Sequence, residues 1–187
     1  MKNLIDLANL IGDENLRKKT IELLKNIKIT NKNFEKYEKD KTKFEEAFGG
    51  TSEFHHPYKG GLVDHTYTVT KICIEIANIF ENVYKIKINK DFLISASLLH
   101  DVMKIYSFKK EGDVTMSSDA KIDHGTWMCC ELYARGFPEE VIHIIASHFG
   151  PNGPTPPQTT EALILFYVDS LDSTIETFWR SLGLTKS

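Results

Sequence analysis

Apolar residues recur every three to four positions along most of this 187-residue chain, and that period predicts helices. Near the start, Leu4, Leu7 and Ile11, then Ile21, Leu24 and Ile27, mark an amphipathic helix over 3–27 with a polar break at Gly12–Asn15. Leu62, Val69, Ile72, Cys73, Ile76 and Ile79 define a second, stopped in the Asn- and Lys-rich stretch before Asp91. Further helices are expected over 91–106, 122–134 and 138–149, the last with Pro138 in its first turn and Glu139 and Glu140 beside it, all favourable there. A final helix runs from Glu161 to about Trp179. Only VYKIKI at 83–88 alternates like a strand, and with no second comparable run it cannot build a sheet. Gly112–Asp113 marks a turn inside a polar loop. The predicted fold class is all-α, helices packed around one core.

Composition adds little to this but excludes several classes. A content of 41% apolar and 26% charged residues is that of an ordinary globular domain, not a disordered chain. The start, MKNLIDLANLIGDENLRKK, lacks the layout of a secretory signal, and no stretch approaches the ~18 consecutive apolar residues of a membrane span. A cytoplasmic protein with no membrane partner is expected. Cys73, Cys129 and Cys130 show no disulfide or metal spacing and are expected to be thiols.

Charge changes the picture more. The net charge is −3, yet between Arg17 and Lys43 ten Lys or Arg stand against four Asp or Glu, which is +6 and leaves −9 for the rest. A basic segment ahead of an acidic body could approach an anionic polymer, although a solvated lysine-rich helix face looks the same in one dimension.

Candidate chemistry comes from polar residues on apolar stripes. In SASLLHDVMKIYSF at 95–108, the His100–Asp101 pair stands directly behind a run of small and apolar residues. His65 lies in phase with Leu62, Val69, Ile72 and Ile76; His148 with Val141 and Ile145; Asp169 with Ala162, Leu165 and Phe166; His124 with Trp127 and Met128. One inward histidine is usually a core residue satisfied by a neighbour. Six such groups in one core exceed what pairwise hydrogen bonding satisfies, and a divalent metal is the natural compensating centre. Imidazole and carboxylate donors fit Mn, Fe, Zn, Ni or Co, and the lack of cysteine in the set argues against a closed structural zinc site.

The order of these motifs resembles the HD superfamily of metal-dependent phosphohydrolases: a histidine, an adjacent His-Asp pair, further histidines, then an aspartate on the last core helix. HHPYKGGLVDHTYTV at 55–69, LLHDVMK at 98–104, DHG at 123–125, IIASHFG at 144–150 and EALILFYVDSLDS at 161–173 are most similar to the catalytic domain of YhaM-type three-prime-to-five-prime exoribonucleases. The resemblance covers roughly residues 45–177. It implies an HD helical bundle over 45–187 behind an N-terminal helical extension, 1–44, that holds the basic segment and is too short for the OB domain of those relatives. Two local departures are Met103 in place of the usual glycine and Asp64 in place of the usual glutamate before the first histidine.

Carried over, the resemblance implies two divalent transition metal ions, Mn, Fe or Ni, with Mg or Zn as alternatives. His65, His100, Asp101 and Asp169 would hold one; His124 and His148 the other, with Asp101 shared. Asp101 and Lys104 would be catalytic, Lys104 offering its ammonium to a phosphate oxygen, and Asp172 would support a ligand. His55, His56 and Lys59 would line the mouth and contact substrate with Lys104. The leading expectation is a phosphodiesterase that removes terminal nucleotides from short single-stranded RNA or DNA. A phosphohydrolase for nucleoside monophosphates or cyclic dinucleotides is the alternative, and a metal-stabilised binding module the non-enzymatic one. The oligomeric state is open.

Overall fold

The computed structural model describes residues 1–51, 54–111 and 114–184, and for 109–111 and 114–116 the backbone alone. Eight α-helices are found among them: α1 Lys2–Ala8, α2 Glu14–Lys25, α3 Gly61–Tyr84, α4 Lys90–Leu99, α5 Lys104–Ser107, α6 His124–Ala134, α7 Glu139–Ala146 and α8 Thr160–Ser181. The all-α class is thus the one found. None of these helices is long and apolar enough to cross a membrane.

α4 explains the opening apolar run. Every residue from Leu93 to Leu99 is buried, so the helix is enclosed on all sides. Ser95, Ala96 and Ser97 keep it slim where α3 and α7 press against it, and the Ser95 hydroxyl is satisfied at 2.8 Å by Thr20 of α2. α3 and α8 run antiparallel beside it: His65 near the start of α3 meets α8 at Asp169 and Asp172, whereas Asn89, beyond the end of α3, donates to Glu161 at the start of α8. α6 and α7 pair across the other side of α4. Leu4, Ile11 and Leu24 of the first 27 residues join the same buried cluster as Leu62, Leu98 and Leu165.

Three local expectations are corrected. The segment 3–27 is two helices, because Asp13 caps a new one by accepting the Leu16 N–H at 2.8 Å while Asp91 accepts the N–H groups of Gly12 and Asp13. The run 91–106 breaks at 100–103, so α4 ends at Leu99 and α5 restarts at Lys104. A sheet does form, an antiparallel hairpin of β1 Phe108–Glu111 and β2 Val114–Ser117, and its turn, Gly112–Asp113, lies outside the described residues. VYKIKI instead finishes α3 and leaves it through Lys85 in left-handed backbone. At four residues each, FKKE and VTMS are too short to give a clear strand signal in the sequence.

The basic segment begins in α2 and continues in a 3-10 helix, Lys32–Asp40, whose Tyr37 and Phe34 rings pack on Trp127. Gly150 closes the turn after α7 at φ +84°, and a Cβ there would sit 2.3 Å from the Phe166 ring. Gly150→Ala combines backbone strain with overpacking and is expected to cost at least about 2 kcal/mol. Thermal unfolding should show it as a Tm lowered by roughly 4–8 °C at this chain length.

Candidate metal centre

Five chain segments deliver the six donor residues to one place. His65 comes from the second turn of α3, His100 and Asp101 from the break after α4, His124 from the first position of α6, His148 from the turn after α7, and Asp169 from the inner face of α8. His65, His100 and Asp101 are almost wholly buried, and His148 is 3% exposed. The nearest donor atoms of His65, His100 and Asp169 lie within 4.8 Å of one another, as do those of Asp101, His124 and His148.

Hydrogen bonds fix which nitrogen faces the centre. His100 Nδ1 lies 2.9 Å from the Ser97 carbonyl and His148 Nδ1 lies 2.6 Å from the Ile145 carbonyl. A carbonyl can only accept, so both Nδ1 atoms carry the proton. Each histidine stands three residues past the carbonyl it uses, at the end of a helix, and the Ile145 oxygen also accepts the His148 N–H. His65 Nδ1 donates to the Asp172 carboxylate at 2.7 Å. The three Nε2 atoms are left as lone-pair donors, oriented from behind as metal-binding imidazoles are.

Those lone pairs need a positive charge between them. His65 Nε2 is 3.3 Å from His100 Nε2 and 3.2 Å from both Asp101 Oδ2 and Asp169 Oδ1. Asp101 Oδ1 turns the other way, 3.1 Å from His124 Nε2. The two oxygens of Asp101 therefore face the two donor groups. Buried Asp101 Oδ2 makes no well-directed hydrogen bond, although the Lys104 ammonium is 2.6 Å away. Converging nitrogen lone pairs and an incompletely satisfied carboxylate oxygen fit a divalent cation, and mixed N,O donors suit a transition metal.

Without a metal, a proton takes that role. Burial opposes charge on His65, but contacts with Asp101, Asp169 and Asp172 outweigh it and hold its pKa well above 6.5. Burial also opposes charge on Asp101, yet Lys104, His100 and His124 keep its carboxyl well below the usual range. Asp169 is held low against burial mainly by its hydrogen bond to His65. Burial depresses His100, and brings His148 down to about 4, so both present neutral rings at neutral pH.

A cavity of about 290 Å³ opens onto this centre. Asp101, Lys104, His124, His148 and Asp169 line its floor, and Phe54, Phe108 and Phe149 its walls. Gly125 of the DHG motif is required by a close approach, since a Cβ there would lie 2.6 Å from the His148 ring.

The expected substrate contacts divide. His55 and Lys104 line the cavity. His56 does not: it is 5% exposed, its N–H donates to Glu176 at 2.9 Å, and its Nε2 stands 3.6 Å from Asp172. It buttresses the carboxylate that orients His65, at a φ of +51° that is costly for a non-glycine residue. Lys59 also stays out of the cavity and pairs with Glu46 at 3.3 Å on the surface. Both were misplaced because adjacency in a loop does not tell which residue turns inward. Asp172 takes the supporting role expected of it, whereas Asp64 accepts from Tyr58 at 3.1 Å and so steadies the loop. The phenylalanine walls, including the ring of Phe149 centred 4.0 Å from that of His148, were missed because isolated aromatics carry no signal of lining a site.

Comparison with known proteins agrees with this geometry. The model of the HD domain family matches residues 62–174. Dihydroneopterin 2',3'-cyclic phosphate phosphodiesterase of Methanocaldococcus jannaschii is 44% identical over 177 residues, which span 94% of this chain and 70% of that protein. No solved structure matches. The match over most of the chain, with all six donor residues inside the family match, shows that the protein belongs to the HD-domain family of metal-dependent phosphohydrolases.

Proposed function

We propose that the protein is a cyclic phosphodiesterase that opens a 2',3'-cyclic phosphate on a small molecule with a planar ring, giving a phosphomonoester. The size and lining of the cavity carry this reading. At about 290 Å³ it lies at the small end of ligand pockets, with ionic groups at its floor and Phe108 and Phe149 at its walls to flank a flat ring. The similarity to an enzyme named for such a substrate supports it.

In the proposed site His65, His100, Asp101 and Asp169 would hold one divalent ion, and His124, His148 and Asp101 a second. Ions of the Mn, Fe or Ni kind would supply Lewis-acid polarisation of the phosphoryl group and a lowered pKa for the attacking water. Lys104, tied to Asp101 and facing the cavity, places its ammonium against a phosphoryl oxygen as negative charge develops. Asp172, backed by His56, holds His65 in the tautomer and orientation that leave Nε2 free. The water oxygen bonds to phosphorus and gives up a proton, one ester P–O bond breaks, and the departing alkoxide takes up a proton in its place.

The second reading, exonucleolytic trimming of short single-stranded RNA or DNA, has one observation of its own. Lys36, Lys39 and Lys121, with Tyr37 and Tyr106, and the acidic Asp40 and Asp119, line a surface cleft that shares Phe108 with the catalytic cavity. Much of the basic segment is otherwise engaged: Arg17 bonds the Ile11 carbonyl, Lys19 the Gly136 carbonyl, and Lys41 the Ile27 carbonyl and Glu38. That leaves less charge for a polymer than the sequence promised.

One substrate panel separates the two. Protein loaded with Mn or Fe is assayed on dihydroneopterin and nucleoside 2',3'-cyclic phosphates, a nucleoside monophosphate, and a labelled oligomer of about 10 nucleotides, within the ~4–16 span of single-strand sites. The cyclic phosphates should be converted to monoesters without release of inorganic phosphate. Stepwise shortening of the oligomer with inert cyclic phosphates would replace this reading with the exonuclease.

A further inference from the structure

α8 is apolar on two opposite faces, and only one of them is covered. Its inner face carries Ala162, Leu165 and Val168 into the core and Asp169 and Asp172 toward the metal centre. On the outer face Leu163, Tyr167, Leu171, Phe178 and Leu182 are 42%, 63%, 47%, 58% and 56% exposed. At about 100° per residue these five fall within an arc of roughly 100°, one continuous stripe with Thr174 at its middle. No fully exposed residue of α8 is charged, in a chain that is 26% charged. Ordinary solvated helix faces are built from Lys, Glu and Arg, so this face has the composition of an interface core.

From this we infer that the protein is a homodimer in which the outer face of α8 packs against the same face of a second copy. Area is the first reason. With aromatic side chains presenting on the order of 150–250 Å² each, the exposed fractions leave roughly 500–600 Å² of contiguous apolar surface when neighbouring Trp179 is included. That equals the largest patches monomers carry, and supplies most of the ~800 Å² per partner of a stable interface. Self-complementarity is the second. Two copies related by a twofold axis near Leu171 and Thr174 run antiparallel, so Leu163 of each meets the Phe178–Leu182 end of the other. The lack of charge in the stripe means this arrangement sets no like charges against each other, and the small Thr174 allows close approach at the crossing. The pairing would also clamp the helix that carries Asp169 and Asp172, so assembly and the metal centre share one rigid element.

Sedimentation of the purified full chain across the micromolar range tests this, with the double variant Tyr167→Lys, Leu171→Glu beside it. The wild type should sediment as a dimer, twice 21.4 kDa, and the variant as a monomer with unchanged helical circular dichroism. If the variant fails to fold, Thr174→Cys in a Cys130→Ser background gives a second readout: mild oxidation should yield a covalent dimer at high yield, and Lys71→Cys on exposed α3 should not. A monomeric wild type overturns the inference, whether it stays alone or takes a different protein on this face. So does a wild-type dimer that both the charge pair and the engineered cysteine leave unaffected.

Discussion

Asp101→Asn is expected to abolish the proposed cyclic phosphate hydrolysis and metal retention together, with a larger effect than any single histidine change. Partners that merely orient a ligand are worth about 10–100-fold in metal affinity or activity, and Asp101 faces both donor groups directly, so the loss should exceed 100-fold. The amide keeps the shape and removes the charge. Lys104, 7% exposed and 2.6 Å from Asp101, then becomes a buried cation without its partner. Breaking one side of a buried pair costs about 3–5 kcal/mol, so the metal-free variant should also unfold earlier on heating. His148→Ala is the informative contrast, because it removes a donor from only one group. Elemental analysis should fall from two equivalents of metal to one in His148→Ala and to near zero in Asp101→Asn. Two equivalents retained by Asp101→Asn would mean that the ions sit elsewhere.

Stability should depend on pH in opposite senses with and without metal. In the metal-free protein the raised pKa of His65 gives a contribution that is fully present below the unfolded value near 6.5 and is lost as pH rises through the folded value. The depressed carboxyls of Asp101 and Asp169 contribute above their unfolded value near 3.9, and that share is lost only as pH falls through the lower folded values. His100 and His148, held below their unfolded value near 6.5, lose their contribution as pH falls below it, so the metal-free centre is most stabilising near pH 6.5. A metal at this centre must displace the His65 proton, so its affinity should rise by up to tenfold per pH unit until His65 titrates, with about one proton released per ion. His148, already neutral above about pH 4, adds no such dependence to the other group. At a metal concentration about 100 times Kd the gain is about 2.7 kcal/mol, a Tm shift of roughly 5–11 °C that grows from pH 6 to pH 8. Thermal unfolding with and without Mn across that range gives the shift, and calorimetry in buffers of different ionisation enthalpy gives the proton count. A shift independent of pH would mean that His65 does not lie under the ion.

The chain alone determined the class of the fold and the direction of its polar groups. Periodicity is a property of one helix, so the inward phase of His65 with Leu62 and Val69, and of Asp169 with Leu165, could be read from spacing, and both point inward. The excess of such buried polar groups in one core calls for a cationic centre. His148 was rightly turned inward, although α7 ends at Ala146 and the residue sits in the following turn.

Only the tertiary structure decided how the donors divide and what holds them. α4 ends at Leu99, and in the break that follows Asp101 sets one oxygen 3.2 Å from His65 Nε2 and the other 3.1 Å from His124 Nε2. The ring orientations of His100 and His148 depend on the carbonyls of Ser97 and Ile145, which lie at the ends of α4 and α7. His56 went behind the site and His55 into it, and β1 brought Phe108 to the cavity wall through a pairing with no local signature. Spacing along a chain fixes which way a side chain points from its own helix axis. The distance between side chains on different helices is fixed by how those helices pack, through contacts far apart in sequence.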